Sequence, residues 1–260
     1  MAYKPFDLSG KTVLVTGGNG GIGLGMADAV AAAGADVVIW GTNAGKNDAA
    51  AATLKAHGGR VMTAKVDVSS QAAVQAGMAD AVAKMGRIDA VFANAGIGNS
   101  ARSFVDITPE QYRQVLAVNL DGVFFTLQEA CRHMQARAVK GDPGGSLIVV
   151  ASLAGIEGAA RNEHYAATKG AVISIMKGVA VEYARYGIRA NAILPGWIAT
   201  DMTAGAQAAP QFAEKVIPRV PMRRWGQPED FGGIAVYLSS NASAFHTGDT
   251  FLIDGGYAVF

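Results

Sequence analysis

The chain has 260 residues, half of them hydrophobic and 17% charged, with a formal net charge of +1. That composition suits one large α/β domain with a substantial core and excludes a disordered chain. It offers no basic stripe for nucleic acid, and no run approaches the roughly 18 apolar residues of a membrane span.

In chain order, Thr12–Thr16 (TVLVT) reads as a buried strand, followed by a glycine cluster and an Ala-rich helix to about Ala33. Asp36–Trp40 is a second strand with a helix to about His57, and Val61–Val66 a third with a helix from about Gln71 to Met85. Ile88–Ala93 is the fourth strand, and the stretch from Pro109 to about Arg137 is helical. Ser146–Ala151 is the fifth strand, a helix runs from about Tyr165 to Tyr186, and Ile188–Leu194 is the sixth. A last helix at about Glu229–Ser239 leads into Thr250–Ile253. Continuous apolar strands alternating with helices predict an α/β fold: a doubly wound, Rossmann-like parallel sheet covered on both faces. Residues 1–260 read as one dinucleotide-binding and catalytic domain, since no linker or repeat divides them. The least regular segment, about residues 197–227, has the length of a substrate-binding loop or lid.

The turn after the first strand carries the first chemical signal. Thr16-Gly17-Gly18-Asn19-Gly20-Gly21-Ile22-Gly23 satisfies G-x-G-x-x-G through Gly18, Gly20 and Gly23, and T-G-x3-G-x-G through Gly17, Gly21 and Gly23. Between a strand and a helix, such a turn offers backbone N–H groups and a helix N-terminus to a pyrophosphate. No Gly-Lys-Ser/Thr ending is present, so a nucleotide-hydrolysing P-loop is excluded. At the tip of the second strand an acid would bond a ribose 2′-OH, and a basic residue would accept a 2′-phosphate. Here the tip reads Trp40-Gly41-Thr42-Asn43, with Lys46 a few residues on. The missing carboxylate removes a repulsion, and Thr42 or Asn43 can donate to a phosphate. The reading therefore leans to NADP over NAD. Asp67-Val68 ends the third strand, where a carboxylate can accept from an adenine amino group. Asn94-Ala95-Gly96 ends the fourth and permits close approach of a ribose.

Tyr165 and Lys169 lie one helical turn apart on one face, Ser152 ends the fifth strand, and Asn119 lies in the long helix before it. Together they fit proton exchange with a substrate oxygen. Holding a phenol's pKa near 7 rather than about 10 takes about 4 kcal/mol of preferential anion stabilisation, which a nearby ammonium can largely supply. Ser152 would polarise the substrate oxygen, and Asn119 would hold Lys169 directly or through water.

With those motifs in place, the sequence resembles the short-chain dehydrogenase/reductase family, from Leu8-Ser9-Gly10-Lys11 to Asp254-Gly255-Gly256. The resemblance implies a catalytic tetrad of Asn119, Ser152, Tyr165 and Lys169, exchanging hydride and proton between an alcohol or carbonyl and NAD(P). It implies cofactor contacts at Gly17, Asn19, Gly20, Gly21, Ile22, Gly23, Thr42, Asn43, Asp67, Val68, Asn94, Ala95, Gly96, Tyr165, Lys169, Pro195, Gly196, Ile198 and Thr200. It also implies a homotetramer with interfaces on the helices of strands four and five and on the C-terminal strand. The family's NAD-selecting Asp would fall at Gly41, and its NADP-selecting arginines at Thr42 and Gly20.

The substrate is expected to be a small-molecule alcohol or carbonyl compound, held near Ile97, Leu153, Ile156, His164, Trp197 and the loop after it, whose mixed character suits a sugar, a cyclic alcohol, a steroid or a β-ketoacyl thioester. His164 beside Tyr165 reads as structural or substrate-lining. Glu157 and Glu163 read as exposed. Arg219, Arg223 and Arg224 read as a solvated or subunit-facing patch. No His/Cys/Asp cluster has metal-ligand spacing, so the reaction is expected to need no metal. A lone Cys131 in an amphipathic stretch reads as a buried thiol. The stretch Met1–Leu8 has no apolar signal core, and the protein is expected to be cytoplasmic. Two other readings share the fold: a noncatalytic dinucleotide sensor, and an epimerase or dehydratase with tightly held NAD.

Overall fold

The structure is a computed structural model that describes residues 4–260. The first three residues of the Met1–Leu8 reading therefore lie outside the described residues. Seven strands form one all-parallel sheet in the order β3-β2-β1-β4-β5-β6-β7. They are β1 Thr12–Thr16, β2 Asp36–Trp40, β3 Val61–Ala64, β4 Ala90–Ala93, β5 Gly145–Val150, β6 Ile188–Pro195 and β7 Thr250–Ile253. β1, β4 and most of β2, β5 and β6 are buried on both faces, which is why they are nearly continuous apolar runs. The third and fourth strands are shorter than expected, because Val66 and Ile88 are buried in the connections rather than in the ladder.

The helices are α1 Gly21–Ala32, α2 Ala44–Lys55, α3 Gln71–Met85, α4 Pro109–Leu116, α5 Gly122–Val139, α6 Ala154–Glu157, α7 Glu163–Tyr183, α8 Ala204–Gln207, α9 Pro210–Val216 and α10 Gly232–Ser239. One apolar layer joins the sheet to α3, α5 and α7, with Met78, Leu127, Met134 and Met176 in its centre. The other joins it to α1, α2 and α10 through Met26, Leu54, Phe231 and Leu238. Cys131 is buried in the first layer, where desolvation pushes its thiol up to about 12, so it is inert at neutral pH.

Two expectations need correction. The stretch Pro109–Arg137 is not one helix: Ala117–Asp121 forms a π-helical turn between α4 and α5. Residues 197–227 are not irregular either, since α8, α9 and 3₁₀ turns at Asp201–Thr203 and Ile217–Arg219 occupy much of the segment. Trp197 anchors that segment edge-on to Phe212 and Trp225, with ring centroids 5.0 and 6.0 Å away.

The winding reverses between β1 and β4, so their carboxyl ends open a crevice of the kind that takes ligands in open α/β sheets. The opposite rim is held by charge. Asp89, just before β4, accepts bonds from Arg87 (2.6 Å), the Thr12 N–H (2.9 Å) and Arg137 (3.0 Å). Burial alone would raise its carboxyl; the two arginines and the N–H outweigh that and hold it below the usual carboxylate range. Among the described residues no helix is long and apolar enough to cross a membrane, and no group of His, Cys, Asp and Glu could hold a metal ion.

Candidate active site

The crevice is floored by the glycine turn, and its geometry explains the glycines. Gly17 and Gly21 have φ of +63° and +51°, the left-handed region that disfavours side chains. A Cβ on Gly23 would stand 2.3 Å from the Gly17 carbonyl, whereas one on Gly20 would meet nothing within 4 Å. α1 thus starts hard against the turn, and Gly20 caps it without any side-chain bond to the free N–H groups. An open, uncapped helix start beneath glycines fits the pyrophosphate of a dinucleotide.

Neighbouring residues lock this cradle rather than line it. The Thr16 hydroxyl accepts from the N–H groups of Asn94 (3.0 Å) and Ala95 (2.9 Å). The Asn94 amide donates to the carbonyls of Thr16 (2.9 Å) and Gly17 (3.3 Å). The Asn94 side chain, expected near a ribose, therefore holds the turn itself. Other expected contacts are also restricted to backbone. Val68 is buried against Gly122, and Ile198 is a core residue beside Gly226. One Asp67 oxygen is engaged by the Ser69 N–H and hydroxyl, at 3.0 and 2.7 Å. Pro195 ends β6, Gly196 packs against Asp254, and the Thr200 methyl lies over Gly21. Ile22 lies partly buried in the first turn of α1.

At the tip of β2, a side chain on Gly41 would have to displace two amide side chains. A Cβ there would stand 2.1 Å from Asn19 Nδ2 and 2.4 Å from Asn47 Oδ1. Asn19 donates to Asn47 (2.7 Å), which donates to the Gly41 carbonyl (3.1 Å). Asn43 uses its side-chain oxygen to cap α2 through the Lys46 N–H (2.9 Å), and Thr42 is exposed. Asn47 and Asp201 are structural partners of this site that the motif pattern did not single out. Their bonds to Asn19 and Lys46 span 28 and 155 residues of sequence, where local spacing carries no signal.

On the other side of the crevice, Tyr165 and Lys169 project from the first turns of α7 beside Ser152 at the end of β5. The Lys169 Nζ lies 5.5 Å from the Tyr165 ring centre and donates to the Val150 carbonyl (2.8 Å). Asn119 sits in the π turn, fully buried, and does not hold Lys169. It clamps the Ile97 backbone instead: Oδ1 accepts from the Ile97 N–H (2.8 Å) and Nδ2 donates to the Ile97 carbonyl (2.9 Å). The extra residue of a π turn displaces this side chain off the regular helical stripe, towards the strand-four loop. A methyl on Gly96 would lie 3.4 Å from Asn119 Oδ1 and 3.5 Å from Lys169 Nζ, so the three share one small space.

The expected low phenol pKa is not a property of the protein alone. Burial pushes Tyr165 up, and its interaction with the Ser152 hydroxyl offsets part of that. Lys169 is itself lowered to about 8, because its ammonium is desolvated. A testable linkage follows. Below about pH 8 the lysine is charged both folded and unfolded, and its burial penalty is constant. Between about 8 and its ordinary 10.5 the unfolded chain holds more of the proton, so this group makes stability rise with pH. Lys169→Met is expected to stabilise the free protein at pH 7, by up to about 3 kcal/mol less the lost Val150 bond. Urea unfolding at pH 7.5 and 9.5 checks it: the gap between variant and wild type should narrow at the higher pH.

His164 is buried, and neither ring nitrogen has a hydrogen-bond partner among the described residues. Glu157 is exposed, as expected, but Glu163 is only partly so, and it accepts from the Arg161 N–H (2.9 Å). Leu153 is buried rather than pocket-lining, while Ile156 is exposed. The basic cluster is committed locally: Arg224 pairs with Asp230 (2.6 Å), Arg219 bonds the Tyr257 hydroxyl (2.8 Å), and Arg223 reaches the Pro218 carbonyl.

The family model described as enoyl-(acyl carrier protein) reductase matches residues 17–258. The chain is 38% identical to gluconate 5-dehydrogenase of Gluconobacter oxydans over 254 residues, covering 98% of this chain and 97% of the relative. A short-chain type dehydrogenase/reductase from Mycobacterium marinum superposes with a TM-score of 0.92 at 33% identity, over 99% of both chains. So does a gluconate 5-dehydrogenase from Burkholderia cenocepacia, in complex with NADP and tartrate, at 0.92 and 36% over 98% of both. These matches run over nearly the whole chain: it belongs to the short-chain dehydrogenase/reductase family and is an NAD(P)-dependent oxidoreductase acting on CH–OH and C=O groups.

Proposed function

We propose that Tyr165 is the acid/base of this reaction, that Ser152 orients the substrate oxygen, and that Lys169 and Asn119 support them. The carrying observation is the placement of the Tyr165 phenol and Ser152 hydroxyl at one sheet edge, across from the glycine cradle. The dinucleotide, NADP or NAD, supplies or accepts the hydride when bound. For oxidation, the Tyr165 oxygen takes the hydroxyl proton of a secondary alcohol; for reduction it returns one to the carbonyl oxygen. Ser152 donates to the substrate oxygen and fixes its distance from the phenol. Lys169 holds positive charge one turn away, which favours the phenolate over the phenol. The Asn119 clamp fixes the Ile97 backbone at the mouth. Thr42, Asn43, Asp67 and the backbone of Val68 would face the adenosine half. Gly17 to Gly23 and Thr200 would face the pyrophosphate. Ala95, Gly96, the backbone of Ile198, Tyr165 and Lys169 would face the nicotinamide half, beside the turn at Pro195 and Gly196.

We infer further that the substrate is a polyhydroxylated acid. Relatives in two bacteria are gluconate 5-dehydrogenases, one holding tartrate. Arg102 and Arg161 are exposed on the loops that follow β4 and β5, which are joined by the Ala101 N–H to Arg161 carbonyl bond (2.9 Å). Their charge suits a carboxylate. Segment 197–227 would close over such a substrate, with residues 1–260 acting as one catalytic domain. Exposed Phe124 on α5, Val181 on α7, Leu252 on β7 and Phe260 support a homotetramer. A cytoplasmic location fits the free thiol. The test follows absorbance at 340 nm with NAD⁺ and NADP⁺ against D-gluconate, other aldonates and neutral polyols. Turnover of aldonates above neutral polyols is expected. Dinucleotide binding without turnover of any alcohol or ketone would overturn the catalytic reading.

A further inference from the structure

The family's usual charge markers for cofactor choice are absent at Gly20, Gly41 and Thr42, and at Gly41 two amide side chains stand where the commonest would sit. The space a side chain would fill is taken by the Asn19–Asn47 pair, so the tip of β2 is uncharged, and an acid there would have to displace those two amides. Asn43 has its oxygen committed to the α2 cap. One charged side chain on this side of the crevice reaches across it. Lys46, in the first turn of α2, extends its Nζ to 2.6 Å from Asp201 Oδ2. Asp201 directly follows Thr200, whose methyl lies over Gly21 of the phosphate cradle. Next to it, Met202 lies within 3.8 Å of where a Gly98 side chain would begin, at the other wall. Residues 200–202 therefore strap the crevice, and Lys46 ties that strap to the adenosine side.

We propose that Lys46 is the cofactor-selecting residue of this enzyme, reading the 2′-phosphate of NADP, and that Asp201 sets the preference by competing for it. This rests on the reading of the glycine turn as a dinucleotide seat. Both partners are largely exposed, 53% for Lys46 and 90% for Asp201, so their bridge is worth little in water and exchanges readily. A 2′-phosphate carries nearly two negative charges and several acceptor oxygens, so it outcompetes a single exposed carboxylate for the ammonium. NAD offers no such group, and with it Lys46 stays on Asp201. Asp201 thus lowers NADP affinity by occupying the lysine, while leaving NAD nearly untouched.

The experiment is titration calorimetry of NADP⁺ and NAD⁺ on the full chain, in wild type, Lys46→Met, Asp201→Asn and the double variant. Lys46→Met is expected to weaken NADP⁺ about 10-fold or more and to leave NAD⁺ within about 3-fold. Asp201→Asn is expected to tighten NADP⁺ about 3- to 10-fold, with NAD⁺ unchanged. In the Lys46→Met background most of that gain should vanish, because the two residues act through one contact. Equal weakening of both dinucleotides by Lys46→Met, or an Asp201→Asn variant with unaltered NADP⁺ affinity, overturns the proposal. If wild type binds neither dinucleotide, the seat itself has been misread, an outcome separate from loss of selectivity. Circular dichroism of each variant separates misfolding from altered recognition. Glu182→Gln, an exposed change on α7, serves as a charge control and should move neither affinity.

Discussion

Tyr165→Phe is expected to lower kcat about 10³-fold while leaving the dissociation constant for NADP⁺ or NAD⁺ within about 3-fold. The variant keeps the ring, its packing and its distance from the Lys169 ammonium, and removes only the oxygen that carries the proton. The loss corresponds to about 4 kcal/mol of transition-state stabilisation, the scale of a positioned acid/base. The pH profile sharpens the test. Burial raises the free phenol, with Ser152 opposing, so Ser152→Ala should move the limb on which the oxidation rate rises with pH to higher pH. A Tyr165→Phe enzyme retaining more than about a tenth of wild-type kcat would mean another group moves the proton. His164, buried next to it with unpartnered ring nitrogens, would be the first to examine.

Gly23→Ala is expected to weaken dinucleotide binding about 100-fold and to cost about 2–3 kcal/mol of stability. The added methyl would stand 2.3 Å from the Gly17 carbonyl and 2.5 Å from Asn94 Nδ2. Neither can retreat: the first belongs to a turn at φ +63°, and the second is bonded to the carbonyls of Thr16 and Gly17. α1 must therefore lift away from β1, tilting the N–H groups that face a pyrophosphate. Gly20→Ala is the matched control, since its methyl meets nothing within 4 Å and its backbone is extended. It should leave the urea midpoint unchanged. Equal destabilisation by both changes would remove close packing as the reason for glycine at 23.

The parallel sheet was legible because apolar runs such as TVLVT and SLIVVA, each followed by helical periodicity, leave few other folds open. Spacing and strand ends were enough to single out Asn119, Ser152, Tyr165 and Lys169 as candidates. Their working geometry was not legible. A π turn adds one residue to a turn without disturbing the apolar rhythm of Pro109–Arg137, so the sequence pattern runs straight through it. Only tertiary contacts reveal that Asn119 clamps Ile97 rather than Lys169. The same holds for Asn94, whose amide closes the glycine turn 77 residues away. Segment 197–227 lacks a long periodic stretch because its helices are one or two turns long, below the length at which an amphipathic stripe can be read. The phenol's raised pKa reflects burial in the assembled crevice, which no local pattern encodes.

β4 is four residues long, with Asp89 just before it and Asn94 just after it. At about 3.3 Å per residue those two side chains stand some 16 Å apart, on opposite rims of one sheet. One rim concentrates an ion network that contributes cohesion; the other concentrates glycines, a desolvated ammonium and a raised phenol, all of which cost cohesion. The molecule therefore behaves as a vice with its screw at one end and its jaws at the other. Thermal tolerance can be tuned around Arg87, Asp89 and Arg137 while the reacting geometry stays as it is, a separation that makes this scaffold forgiving to engineer.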